Sequence, residues 1–159
     1  MSFDCKIIMK QILAITLLVI TVLSCSPRTY PVQSCNYMSE QNGKITLRSV
    51  GYGKLRVDAL DAAEKNAIKT LLFRGVPGSQ YSSPMIGLDE DQIINENPDY
   101  YCSLFEKGRH KSFISSSVPV TDYSFTKYLA WTVSVDVTIN VVSLRKDLEQ
   151  HGIIRKFGY

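Results

Sequence analysis

Two histidines, fifteen carboxylates and four cysteines are the groups of this 159-residue chain most able to do acid–base, metal or nucleophilic work. Few of them stand at a spacing that such chemistry demands. His110 and His151 form no HExxH pair, and the GxSxG and SxxK nucleophile motifs are absent. Asp58, Asp61 and Glu64 recur at every third residue, which on a helix puts three carboxylates on one face near its start. Paired carboxylates in one site can divide acid and base roles, but helix capping and solvation account for these three more simply. Asp136 reads as a surface charge on a strand. Asp89-Glu90-Asp91 lacks the ligand spacing of an EF-hand loop and reads as a solvated loop or helix start. Gly51-Tyr52-Gly53 lies between a strand and a helix, where a nucleotide loop would sit, yet Arg56 stands where the third glycine is needed. Ser115-Ser116-Ser117 has no histidine beside it in sequence. These residues predict no catalytic group, no cofactor and no metal.

The elements that would position them follow from periodicity. Lys44 to Val50 alternates and reads as a half-buried strand, broken by Gly51-Tyr52-Gly53. Asp58 to Phe73 is the best helix, with Asp58 as N-cap and Gly75 as stop. Leu60, Ala63, Ala67, Ile68, Leu71 and Leu72 form its buried stripe, and the alanines let it lie close to a sheet. Residues 75–97 read as a long irregular loop. Asn97-Pro98 opens a second helix to Lys107 that buries Tyr101, Leu104 and Phe105. Residues 110–118 are a weaker strand. Leu129 to Val141 is the strongest pattern, thirteen residues at period two, with Trp131 on the apolar face. Its simplest antiparallel partners are the 110–118 and 44–50 strands. Ser143 caps a last helix ending at Gly152. The prediction is an α+β fold, a small antiparallel sheet with helices packed on one face.

Composition agrees with a globular protein: 45% hydrophobic, 21% charged, net charge +3. Lys and Arg are spread along the chain, so nucleic acid is not an expected partner. The first residues read as an address. Lys6 and Lys10 precede the uncharged run Ile12 to Leu23. Twelve helical residues reach about 18 Å, short of a hydrocarbon core of about 30 Å, so a signal sequence is expected over residues 1–24. Met9-Lys10 makes a more typical start than Met1, which would leave Cys5 untranslated.

The run ends in Val22-Leu23-Ser24-Cys25, which resembles the lipobox of bacterial lipoproteins, with Val22 a small departure. The resemblance implies that Cys25 carries the lipid and becomes the first mature residue. Residues 25–43 would then form the lipidated start and a tether, extended by Pro27 and Pro31. Residues 44–159 would form a single periplasmic domain. Ser26 is not the Asp that retains many such proteins in the inner membrane, which implies the outer membrane, facing the periplasm. In that oxidising compartment Cys35 and Cys102 either form a disulfide, worth roughly 4 kcal/mol in the chain-entropy model, or remain two buried free thiols. They lack the spacing of a redox pair or a zinc site.

The stretch VGYGKLRVDALDAAEKNAIKTLLFRGVPG, from Val50 to Gly78, resembles the N-terminal domain of the flagellar protein FlgT and the curli secretion lipoprotein CsgG. The whole layout, with a Cys-Ser-Pro start and a basic, aromatic end, looks like the TssQ-type lipoproteins of Bacteroidota type VI secretion systems. That resemblance implies a non-enzymatic structural subunit of a trans-envelope complex. Its partners would be the membrane, through the anchor, and other envelope or secretion proteins. Contacts are expected from the 75–97 loop and from Ile153, Ile154, Arg155, Lys156, Phe157 and Tyr159 of the tail. The alternative is a lipoprotein that binds a small ligand or glycan.

Overall fold

The computed structural model describes residues 30–155. The chain divides into a unit Met1–Pro31, of which only residues 30 and 31 are described, and a compact unit Val32–Tyr159 that contains every described element. The expected signal sequence and Cys25 lie outside the described residues.

The second unit is an α+β domain. Strand β1 (Cys35–Gln41) turns through Asn42-Gly43 into β2 (Lys44–Gly53). Both turn residues have positive φ, 53° and 70°, the geometry that an Asn-Gly hairpin turn provides. Helix α1 (Arg56–Lys69) follows, continuing as a π-helical turn (Thr70–Arg74). Then come α2 (Glu90–Glu96), α3 (Pro98–Tyr101) with its own π-helical turn (Cys102–Glu106), and a 3-10 turn (Arg109–Phe113). Strands β3 (Ile114–Pro119), β4 (Ser124–Phe125) and β5 (Trp131–Asn140) lead into α4 (Val141–Gln150). The sheet order is β1-β2-β5-β3, every pairing antiparallel, with β4 also on β5. The two strands expected beside the long strand are therefore its neighbours.

Alternation decides the faces. Ile45, Leu47 and Ser49 of β2 and Val133, Val135, Val137 and Ile139 of β5 are buried. Thr46, Arg48, Thr138 and Asp136 alternate with them on the other face, where Thr46 and Thr138 share a 2.9 Å hydrogen bond. Helix α1 covers the buried face with Ala59, Ala63, Ala67 and Ile68, all at zero exposure. Leu60, expected in that stripe, is only half-buried.

Gly51-Tyr52-Gly53 does not break β2; the strand runs through it, paired as far as Gly53 with Trp131. The reason is close packing. A methyl on Gly51 would overlap the Ala59 carbonyl and the Ala63 amide, and one on Gly53 would overlap the backbone at Asp58 and Ala59. Glycine on the strand and alanine on the helix let two backbones meet where side chains would hold them apart.

Several boundaries move from their expected places. The helix starts at Arg56, so Asp58 is its third residue rather than its cap; the Asp58 carboxylate accepts a 3.0 Å bond from the Leu55 amide. The loop 75–97 contains α2, capped by Asp89, whose side chain accepts from the Gln92 amide. The last helix is capped by Asn140, which accepts from the Ser143 amide, rather than by Ser143. Residues 32–43, expected to belong to a tether, instead belong to the compact unit, with β1 among them. Leu129 lies outside β5, exposed, in a turn with φ of 55°.

A polar knot pins β1 to this core. Asn66, 3% exposed, donates to the Ser49 hydroxyl (2.9 Å) and the Ser34 carbonyl (3.3 Å), while Arg74 donates to its Oδ1 (3.1 Å). Replacing Gly51 by Ala is expected to cost about 3 kcal/mol, at the upper end of overpacking effects. Gly108→Ala, whose methyl would meet nothing within 4 Å, is expected to cost only about 1 kcal/mol, from its backbone conformation. Urea midpoints of the two variants check the ranking; equal losses would refute the close-approach account.

Candidate functional site

The carboxylates that the sequence placed on one helix face do not share one role. Asp58 stays exposed in the first turn of α1, bound to the Leu55 amide. Asp61 is half-buried and Glu64 is buried, because the 3-10 turn after Gly108 folds His110 over this face of α1. His110 is fully buried. Its Nε2 lies 3.4 Å from Asp61 Oδ1 and 3.8 Å from Glu64 Oε2. Among the described residues these three form the one His/carboxylate group whose ligand-type atoms lie within 4.8 Å of one another.

The imidazole orientation limits what the cluster can do. Nδ1 lies 3.2 Å from the Leu104 carbonyl, an acceptor only, so Nδ1 carries the proton in that bond. Nε2 then faces the carboxylates either as a lone pair, which they repel, or as an N–H, which they attract. Two ammonium groups complete the site: Lys65 is 2.9 Å from Asp61 Oδ2, and Lys111 is 3.0 Å from Asp61 Oδ1. A divalent cation here would have to displace Lys111 and sit beside Lys65. The donor set therefore fits poorly as a metal centre and well as a charge-balanced clasp between α1 and the 3-10 turn. Burial alone would raise the Asp61 carboxyl, but hydrogen bonds from Lys65 and Lys111 outweigh it and hold it below the usual carboxylate range. Burial opposes ionisation of Glu64 too; His110 and Ser117, with the charge of Lys111, hold it below its usual range.

A second polar cluster centres on Asp147 of α4. Arg109 grips it with Nη2 at 2.9 Å and Nη1 at 3.3 Å, and the Tyr100 hydroxyl donates to it at 2.8 Å. The Arg109 guanidinium lies 4.9 Å from the Tyr100 ring centre, and the His151 ring is 5.1 Å from the same ring. Beside them opens a cleft of about 460 Å³, bordered by Glu96, Asn97, Asp99 and Ile153. Next to Tyr100, burial and Glu96 push the Tyr101 phenol up to about 12. Asp136 is half-buried rather than a plain surface charge, because Arg48 binds it through two hydrogen bonds of 2.7 and 2.8 Å that hold its carboxyl below the usual range.

The residues expected to form sites are scattered. Of the two alternatives for Cys35 and Cys102, the structure has both as free thiols. Cys35 is half-buried on β1 against Ser49 and Thr70, and burial pushes its thiol up. Cys102 is exposed at the end of α3, so the picture of two buried thiols fails for it as well. Ile153 and Ile154 are half-buried against their own core, with the Ile153 amide bonded to the Leu148 carbonyl at 2.9 Å. Each keeps part of its surface exposed. Arg155 is exposed; Lys156, Phe157 and Tyr159 lie outside the described residues. Among the described residues no helix is long and apolar enough to cross a membrane. Comparison with known proteins found no matching family, curated protein or solved structure.

Because Asp61 and Glu64 hold folded-state pKa values below their unfolded ones, their contribution to stability is complete above about pH 4.5. It is lost as pH falls through the lower folded values. The urea midpoint should drop between pH 6 and pH 3, and Glu64→Gln should flatten that drop while lowering the midpoint at pH 6. An unchanged pH slope in the variant would contradict the clasp.

Proposed function

We propose that this chain is a lipid-anchored lipoprotein of the bacterial cell envelope. It acts as a non-enzymatic structural or assembly subunit of a trans-envelope complex, of the type VI secretion kind. The observation that carries this reading is where folding begins. The compact unit starts at Val32, seven residues after Cys25 in the lipobox-like stretch. Seven extended residues span at most about 25 Å, so an acyl group on Cys25 would keep the domain close against the bilayer. Two acyl signals make such anchoring stable where one is marginal.

The charged side chains support a binding role over chemistry. Asp61, Asp136 and Asp147 each hold two elements of the domain together through a basic partner. In this reading the anchor sits in the outer membrane, the domain faces the periplasm, and other envelope or secretion proteins are the partners. Nucleic acid and cofactors have no part in it.

The cleft beside Tyr100 favours one second reading. Its volume falls in the range of small-molecule sites, roughly 300–1,000 Å³, and Tyr100, Arg109 and His151 offer a ring face and donors for a sugar or small anion.

Native protein extracted from membranes should carry an acyl mass on its first residue. Cys25→Ala should move the chain from the membrane to the soluble fraction with unchanged melting. Membrane retention of that variant, with no acyl mass on the native protein, would refute the tether. Purification of the acylated form with its neighbours cross-linked should recover envelope proteins. A melting shift with a glycan, abolished by Arg109→Gln, would favour the second reading instead.

A further inference from the structure

One end of the sheet carries a cluster of exposed apolar side chains. Leu55 and Val57 flank the start of α1 at 61% and 63% exposure. Phe125 and Leu129 are 56% and 60% exposed, and Tyr128 is exposed as well. Strand pairing brings them together: Gly53, just before Leu55, pairs with Trp131, and Phe125 pairs with Trp131 from the other side. The Phe125 and Trp131 rings meet edge to face at 5.5 Å. The Arg56 guanidinium lies 4.5 Å from the Trp131 ring centre and 5.8 Å from that of Tyr123. Soluble surfaces seldom gather this many large apolar groups without a use for them.

Leu129 is the telling residue. It sits in a turn closed by bonds from the Thr126 amide to the Ala130 carbonyl and from the Leu129 amide to the Thr126 carbonyl. Its φ of 55° suits Gly, Asn or Asp and disfavours Leu. Its backbone closes the turn, while its side chain stands 60% exposed in a conformation costly for leucine.

The occupant follows from the chain path and the charge. The Ser34 carbonyl accepts from the Val50 amide, so β1 traced backwards runs antiparallel to β2 toward the Gly53 end. Residues 32–34, where the unit begins, therefore lie toward the apolar end of the sheet. Lys54, Arg56 and Lys127 are exposed around it, and Lys127 lies 5.3 Å from the centre of the Tyr128 ring. Against these three cations stand Asp58, turned onto the Leu55 amide, and Asp122. Aromatic and aliphatic groups rimmed by Lys and Arg match the interface of a bilayer containing anionic lipid.

The geometry points to a membrane-docking tip: Leu55, Val57, Phe125, Tyr128 and Leu129 lie against the bilayer surface, with Lys54 and Lys127 on its anionic headgroups. This rests on the tethered reading, and turns a passive leash into a fixed orientation. The sheet end meets lipid, and the Asn42-Gly43 end and α4 point toward partners.

The test uses the unacylated chain from Ser26 onward, which contains the whole Val32–Tyr159 unit, so its outcome is independent of Cys25. The probe is a vesicle of phosphatidylethanolamine with or without phosphatidylglycerol. The chain should partition onto the anionic vesicles, and lipids brominated near the headgroup should quench Trp131, the single tryptophan. Leu129→Asp should lower partitioning about ten-fold while melting stays level or rises, because Asp tolerates the turn conformation better. Lys127→Glu should weaken binding to anionic vesicles and leave the zwitterionic ones unchanged. Absence of vesicle binding by the unsubstituted chain, or undiminished binding by Leu129→Asp, would overturn the proposal. So would loss of a bound envelope protein in Leu129→Asp without any vesicle effect, which would make the tip a protein interface.

Discussion

The domain depends on one close approach, that of α1 to the β2 backbone at Gly51 and Gly53. Ala59 and Ala63 pack where any larger pair would push the helix off the sheet. That contact fixes the height of α1 above the strands, and the height decides what else reaches. Asn66 can touch Ser49 and Ser34 only because the helix rides low. The same setting presents Asp61 and Glu64 to the 3-10 turn, where His110 closes over them.

Polar groups in this fold are spent on joining elements that are far apart in sequence. Arg48 and Asp136 join β2 to β5, Arg109 and Asp147 join the 3-10 turn to α4, and Asn66 joins α1 to β2 and to the residue before β1. Each link is partly shielded and has more than one hydrogen bond, the condition under which a charged pair specifies position as well as contributing energy. The exposed ion pairs, such as Arg145 with Glu149 at 3.6 Å, contribute little by comparison.

Much of this architecture was legible in the sequence wherever one face alternates strictly with the other. The β5 pattern and its neighbours, the alanine face of α1, and Pro98 opening a helix all follow from local spacing. The misses have local causes too. Asn42-Gly43 is a strong hairpin signal, and it marks β1 even though that strand shows little alternation and is mostly exposed. Gly51-Tyr52-Gly53 looks like a break because glycine weakens strands, yet here the partner helix demands it. Leu129 continues the apolar parity of β5 and still falls in a turn, since parity alone cannot show where pairing stops. The clasp of Glu64 with His110 joins residues 46 positions apart in the chain, and nothing in either neighbourhood announces the other. The i, i+3 spacing of Asp61 and Glu64 was visible; the imidazole that would face them was not.

Both outer strands of the sheet carry an irregularity. β1 slips register between Tyr37 and Ser39, and β3 between Ile114 and Ser116, before ending at Pro119. A regular fringe of amides and carbonyls would let one sheet continue into the next. One kink in each outer strand, and a proline with no amide hydrogen at the end of β3, interrupt that fringe, so two sheets meeting edge to edge would find no regular ladder to extend.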